Sequence, residues 1–248
     1  MRSVLRVLLA TLVVGSIGLT TVPAQEKKNT ATTPAPRDPN WVKRHEGFVA
    51  IAKKGDVDLL FLGDSITDAW GGEGHGANTP GTKIYTKDFL PLKAANFGIG
   101  GDRTQHVLWR LQNGELDGIT PKVLMLMIGT NNSNGMDNTA EEIAEGIKAI
   151  VAEVQKKSPK TKILLLAVFP RGEKPNPQRE KLTAINKAIS KLDDGGKTVK
   201  YLDIGEKFLQ GDGTLTRDIM PDSLHLSEKG YQIWADAVKG PITDLLGK

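Results

Sequence analysis

A three-layer α/β/α domain on a five-stranded parallel sheet is the fold class this sequence predicts, and three observations carry it. Five short apolar runs, Val57–Leu62, Ala94–Phe97, Val123–Ile128, Ile163–Phe169 and Val199–Ile204, have the length and unbroken hydrophobicity of strands buried on both faces. Amphipathic stretches alternate with them, as parallel connections require. From Trp41 onward there is no second break in composition and no repeat at a period of roughly 20–50 residues, so one domain spans 41–248.

The elements follow in order. Residues 1–24 read as a signal peptide, with Arg2 and Arg6 ahead of an apolar run from Val7 to Leu19 and Val22-Pro23-Ala24 as a small-residue cleavage end. The apolar run is short for a spanning helix of ~20 residues, so a secreted, periplasmic or cell-envelope location is expected, without stable membrane insertion after cleavage; an uncleaved membrane anchor is the alternative. Residues 25–40 are polar and rich in Pro and Thr, and read as a solvated linker.

Within the domain, Val107, Leu108 and Leu111 mark a helix after the second strand. Thr139 and Glu142 form a capping-box pattern ahead of Ile143, Ile147, Ile150, Val151 and Val154, which share one helical face. Leu182, Ile185, Ile189 and Leu192 make the next stripe. The last helix starts after Ser227 and carries Trp234, Val238, Ile242 and Leu245, with Pro241 as a point of bending.

Composition narrows the function classes. The 248 residues are 39% hydrophobic and 25% charged, which is ordinary for a globular chain and excludes disordered or collagen-like scaffolds. Cysteine is absent, so disulfides, thiol catalysis and Cys-based metal sites are excluded together. The net charge is +4, but the basic residues are scattered, and no nucleic-acid footprint stands out.

Parallel sheets place their sites beyond the carboxyl ends of the strands. The first strand runs into Gly63-Asp64-Ser65. That tripeptide fits either a turn whose Asp and Ser cap the next helix or a serine hydroxyl held at the sheet rim. The second runs into a glycine loop, Gly98-Ile99-Gly100-Gly101, which serves equally as a tight turn or as a set of N–H donors for developing negative charge. It is not G-x-G-x-x-G, and no phosphate-cradling loop follows the first strand, so a nucleotide- or flavin-binding module is disfavoured.

The third strand runs into Gly129-Thr130-Asn131-Asn132, where an Asn amide either closes an Asx turn or donates to an oxyanion. Late in the chain stands Asp222-Ser223-Leu224-His225. An Asp three residues before a His is suited to hold its Nδ1–H. Of the four histidines, His45, His75 and His106 lie in helical or glycine-rich surroundings, leaving His225 beside a near carboxylate. The four are too dispersed for a paired zinc motif.

The order of these blocks resembles the SGNH (GDSL-type) hydrolase family, from Val57 to the final helix. The stretches NFGIGGDRTQHVLWRLQNGELDGITPK, IGTNN and FPRGEKPNPQREK are similar to the catalytic subunits of the intracellular type-I platelet-activating-factor acetylhydrolases and their bacterial relatives. The resemblance implies a flavodoxin-like α/β/α fold and an esterase that needs neither cofactor nor metal. It implies Ser65 as nucleophile, His225 as base and Asp222 as its orienting acid, with an oxyanion hole from the N–H groups of Ser65 and Gly101 and the Asn131 amide. Two departures are visible: Asn132 stands where the broader family often has Asp, and the leader is unlike the intracellular subunits.

Ile66, Thr130 and Leu224 neighbour these residues and are expected to wall a short acyl pocket, which favours acetyl. The expected reading is a secreted serine esterase whose partner is a small ester: acetylated saccharide first, lipid or phospholipid acetyl ester second. A homodimer is admitted. A non-catalytic binding protein on the same fold is the alternative class, separated from the enzyme by an assay with p-nitrophenyl acetate.

Overall fold

The structure, a computed structural model, describes residues 28–248. The signal-peptide reading of residues 1–24 therefore lies outside the described residues. The five expected strands are present as β1 (Leu59–Gly63), β2 (Ala94–Asn96), β3 (Val123–Met127), β4 (Lys162–Leu166) and β5 (Val199–Leu202). All pair in parallel, in the order β2-β1-β3-β4-β5. All five are shorter than their apolar runs, β2 and β3 by a single residue at the carboxyl end. Val57 and Asp58 precede β1, Ala167–Phe169 follow β4, and Asp203 and Ile204 follow β5. Hydrophobicity continues past the ladder because the loops at the carboxyl edge are themselves covered.

Alternation along each strand divides the core. Leu60, Leu62, Leu124, Leu126, Ile163 and Leu165 face one helical layer. That layer holds α1 (Pro39–Lys54), α4 (Thr104–Gln112), α5 (Ala140–Lys157) and α6 (Pro177–Ile189). Leu59, Phe61, Met125, Met127, Leu164 and Leu166 face the other, built from α3 (Thr82–Asp88) and α7 (Glu228–Leu246). The four-residue α2 (Ser65–Asp68) sits directly after β1. Two separate apolar clusters on one sheet are the three-layer arrangement expected.

Local signals explain the helix boundaries. The Thr139/Glu142 capping box is formed at α5, with Ile143, Ile147, Ile150, Val151 and Val154 buried beneath it. Ser227 caps α7 by accepting from the Gly230 N–H, and α7 runs from Glu228 to Leu246 with Pro241 inside it. Asp38 caps α1, whose first residue is Pro39, a position where the missing N–H costs nothing.

The segment read as a solvated linker is corrected from Asn29 onward. Residues Thr30–Thr32 form a 3-10 turn capped by the Asn29 side chain, and Ala31 is fully buried. Thr104 Oγ1 donates to the Ala31 carbonyl at 2.7 Å, Asn29 Nδ2 to that of Glu142 at 3.2 Å, and the Ala35 N–H to that of Gln105 at 3.2 Å. The segment is polar because it satisfies polar groups at the ends of α4 and α5, not because water surrounds it.

Candidate active site

β1 ends beneath α2, and Asp64 makes the join. Its Oδ1 accepts the Ile66 N–H at 3.0 Å as the cap of α2. Tyr231 Oη, from α7, donates to the Ile66 carbonyl at 2.6 Å. Ser65, at the first position of α2, is thus fixed from both sides. Asp64 is fully buried, and burial pushes its carboxyl up to about 7; the Ile66 N–H and the Arg171 charge oppose this only in part, and Asp102 adds to it.

Ser65 Oγ lies 2.9 Å from His225 Nε2, across 160 positions of sequence. His225 Nδ1 lies 2.7 Å from Asp222 Oδ2. A ring nitrogen facing a carboxylate carries the proton, so Nδ1–H donates to Asp222 and Nε2 accepts from the serine hydroxyl. Asp222 Oδ1 accepts the N–H groups of Leu224 and His225 at 3.0 and 2.7 Å. Burial raises this carboxyl, but the His225 and backbone hydrogen bonds outweigh it, and the net shift is downward. Ser223 takes a left-handed conformation, φ +61°, and its carbonyl accepts the Gly172 N–H at 2.8 Å. The Asp–His turn is thereby held by the loop after β4.

The glycine loop approaches α2 closely. A Cβ on Gly98 would stand 2.3 Å from the Asp68 nitrogen, so no larger residue fits. Asn96 ties the same two elements, donating to the carbonyls of Thr67 and Gly71 while accepting the Gly98 N–H. Asp68 Oδ2 accepts the Gly100 N–H at 2.9 Å, and Arg44 holds both oxygens of that carboxylate. Burial raises the Asp68 carboxyl, yet its bonds to His75 and Arg44 carry it below the ordinary value. Gly101 has φ +79°, which favours glycine. Among the described residues no acceptor takes the N–H of Ser65 or of Gly101.

Asn131 meets this loop from β3, with Nδ2 donating to the Asp102 carbonyl at 2.8 Å. One hydrogen of its amide remains for another acceptor. Asn132 is different. Fully buried, it accepts the Thr104 N–H and donates to Gln105 and Asn138. It is an anchor for the start of α4.

The structure thus brings together Ser65, His225 and Asp222 by direct contact, and joins Asn131 to the Gly100–Asp102 loop. The expected acyl walls fare unevenly. Ile66 is buried in the core shared with Trp70 and Tyr231, and the Thr130 hydroxyl is engaged by Arg171 at 3.3 Å. Leu224 alone of the three keeps part of its surface open. His106 is not part of the relay: its Nδ1 accepts the Arg103 N–H at 3.0 Å. Burial, with Arg37, Arg103 and Arg110 nearby, pushes its imidazole down to about 4, so it is neutral near pH 7.

Sequence reasoning missed Arg37, Arg44, Asp68 and Arg171. Asp68 lies one helical turn from Ser65, a spacing that could have marked it, and Arg171 lies within the FPRGEKPNPQREK run. Arg37 stood in the presumed linker with no local signal. Among the described residues no group of three His, Asp or Glu side chains is arranged to hold a metal, and no helix is long and apolar enough to cross a membrane.

An α/β/α sheet whose carboxyl edge carries a hydrogen-bonded Ser–His–Asp chain is the framework of an ester hydrolase. The chain belongs to the GDSL-like lipase/acylhydrolase family, whose model matches residues 61–233, and it is a carboxylic ester hydrolase. It is 41% identical over 211 residues to platelet-activating factor acetylhydrolase IB subunit alpha1 of Rattus norvegicus, covering 83% of this chain and 86% of that one. A Streptococcus pneumonia structure named for a platelet activating factor superposes with a TM-score of 0.65 at 26% identity, over 82% of this chain and 95% of that one. An acetylxylan esterase from Geobacillus stearothermophilus shares the fold at 19% identity, TM-score 0.58, over 76% and 93% of the two chains.

Proposed function

We propose that this protein is an exported serine esterase that removes acetyl groups, with acetylated carbohydrate as its first substrate class. The observation that carries the mechanism is the continuous relay Ser65 Oγ, His225 Nε2, His225 Nδ1, Asp222 Oδ2, with links of 2.9 and 2.7 Å. His225 takes the Ser65 proton as Oγ attacks the ester carbonyl, and Asp222 stabilises the imidazolium. The oxyanion accepts from the N–H groups of Ser65 and Gly101 and from the free hydrogen of the Asn131 amide. His225 then protonates the leaving alkoxide. Water, activated by the same histidine, attacks the acyl-serine; its acyl–oxygen bond breaks, releasing the acid and restoring Ser65.

Similarity to the rat acetylhydrolase subunit supports acetyl as the acyl group, and the leader-like residues 1–24 support export. Export favours environmental esters, hence carbohydrate. The same similarity also favours a second reading, a lipid or phospholipid acetyl ester. The mature protein is to be assayed on acetylated xylan, acetylated sialic acid and short-chain lipid esters, with p-nitrophenyl esters of increasing length beside them. Acetate release from a saccharide, with rates falling beyond short acyl chains, is the expected result. Release from lipid esters alone overturns the carbohydrate assignment.

Asn131 gives a separate test of the oxyanion hole. Its proposed target hardly exists in the ground-state ester, so Asn131→Ala is expected to act on kcat more than on KM. Loss of one such donor typically costs ~10²–10³-fold in kcat. Steady-state kinetics on one acetyl ester, with melting temperatures alongside, measure this. A raised KM with unchanged kcat would make Asn131 a substrate-binding residue instead. Asn132→Ala is no mild control here, because it strips a buried network from the start of α4.

A further inference from the structure

The N-terminal segment delivers one charged side chain to the peptide on which the oxyanion hole depends. Arg37 Nη1 donates to the Gly100 carbonyl at 2.7 Å and to Asp102 Oδ1 at 3.1 Å. The Gly100 carbonyl and the Gly101 N–H belong to the same peptide unit. A donor on that oxygen fixes the plane of the unit and polarises it, strengthening the N–H on the opposite side as a donor.

The surroundings hold Arg37 in place. Asp102 is fully buried, and its carboxylate also takes Trp41 Nε1 at 2.6 Å and pairs with Arg110 Nε at 3.0 Å. Its own carbonyl is the acceptor of Asn131 Nδ2. Two of the three proposed oxyanion donors are therefore tied to one buried carboxylate residue and to the arginine beside it. On the other side, the Gly100 N–H is held by Asp68. A Cβ on Gly101 would meet the Arg37 guanidinium at 3.2 Å, so the arginine lies directly against this peptide.

We infer that Arg37 is a positioning residue for catalysis: it orients and polarises the Gly100–Gly101 peptide so that the Gly101 N–H meets the oxyanion. The segment from Asn29 to Asp38 is then a working part of the active site, a strap whose capped turn and buried Ala31 set where Arg37 emerges. This inference rests on the proposed role of the Gly101 N–H.

The test uses the full-length chain and compares Arg37→Ala, Arg37→Lys and Asn131→Ala on one acetyl ester. A hydrogen bond from a charged donor corresponds to about 10-fold or somewhat more, so Arg37→Ala is expected to lower kcat by that factor with KM within about twofold. Arg37→Lys keeps a charged donor and recovers part of the loss. Guanidinium ion added at low, non-denaturing concentration is expected to raise kcat of Arg37→Ala and leave Arg37→Lys unchanged, a response that a purely structural role would not give. If Asn131→Ala is slow while Arg37→Ala turns over normally, or changes only KM, the inference is overturned and the oxyanion hole stands. If Arg37→Ala is slow only in proportion to lost folded protein, with no rescue, Arg37 is structural and the inference also fails. If Asn131→Ala and Arg37→Ala both turn over normally, the oxyanion reading itself fails, and the role of Arg37 with it.

Discussion

Ser65→Ala is expected to lower kcat by roughly 10³-fold or more while leaving the fold unchanged. The size follows from the relay: without Oγ no acyl-enzyme forms, and only general polarisation of the ester remains. Folding is expected to survive because the hydroxyl bonds to His225, while the backbone at this point is held by Asp64 and Tyr231. An organophosphonate is expected to label Ser65 alone among the serines, and mass spectrometry of the labelled peptide checks it. Near-normal turnover by the alanine variant would remove the mechanism.

His225→Ala is expected to have a comparable effect, at least ~10³-fold in kcat, because proton removal from Ser65 and proton delivery to the leaving group pass through one ring. His106→Ala is the informative comparison. That ring lies 3.7 Å from Asp102 and accepts the Arg103 N–H, so its loss is expected to act through the loop and to leave most of the turnover. Organophosphonate labelling of Ser65 is also expected to slow sharply in His225→Ala, since the serine is then unactivated. An inactive but folded His106→Ala beside an active His225→Ala would reverse the assignment of the base.

The candidate site was legible in proportion to how local its signals are. Asp222 and His225 lie three positions apart, and the turn that joins them is closed by its own backbone N–H groups, so the pair is readable from its spacing. Gly98 and Gly101 stood out because close approach and positive φ leave glycine in the sequence. Asp68 was harder to see. Its partners come from α1, from the loop holding His75 and from the loop after β2, and no pattern around Asp68 records them. Arg37 was hidden by its surroundings: in a Pro- and Thr-rich run, a buried strap and a solvated linker have the same composition. The role of Asn132 was hidden for a related reason, since its four hydrogen bonds are formed with Thr104, Gln105 and Asn138.

By itself the sequence determined the sheet, the helices and which residue types stand at each strand end. Strand burial, helical stripes and capping boxes are settled by side chains within a few positions of one another, and such preferences survive any arrangement of the rest of the chain. Tertiary structure alone decided which of those ends meet. It placed Ser65 against His225 across 160 positions, threaded residues 29–38 over α4 and α5, and aimed Arg37 at the Gly100 carbonyl. The physical reason is that a buried polar group must find its partner wherever packing brings one within hydrogen-bond distance. That partner is set by the path of the whole chain, and neighbouring residues carry no trace of it.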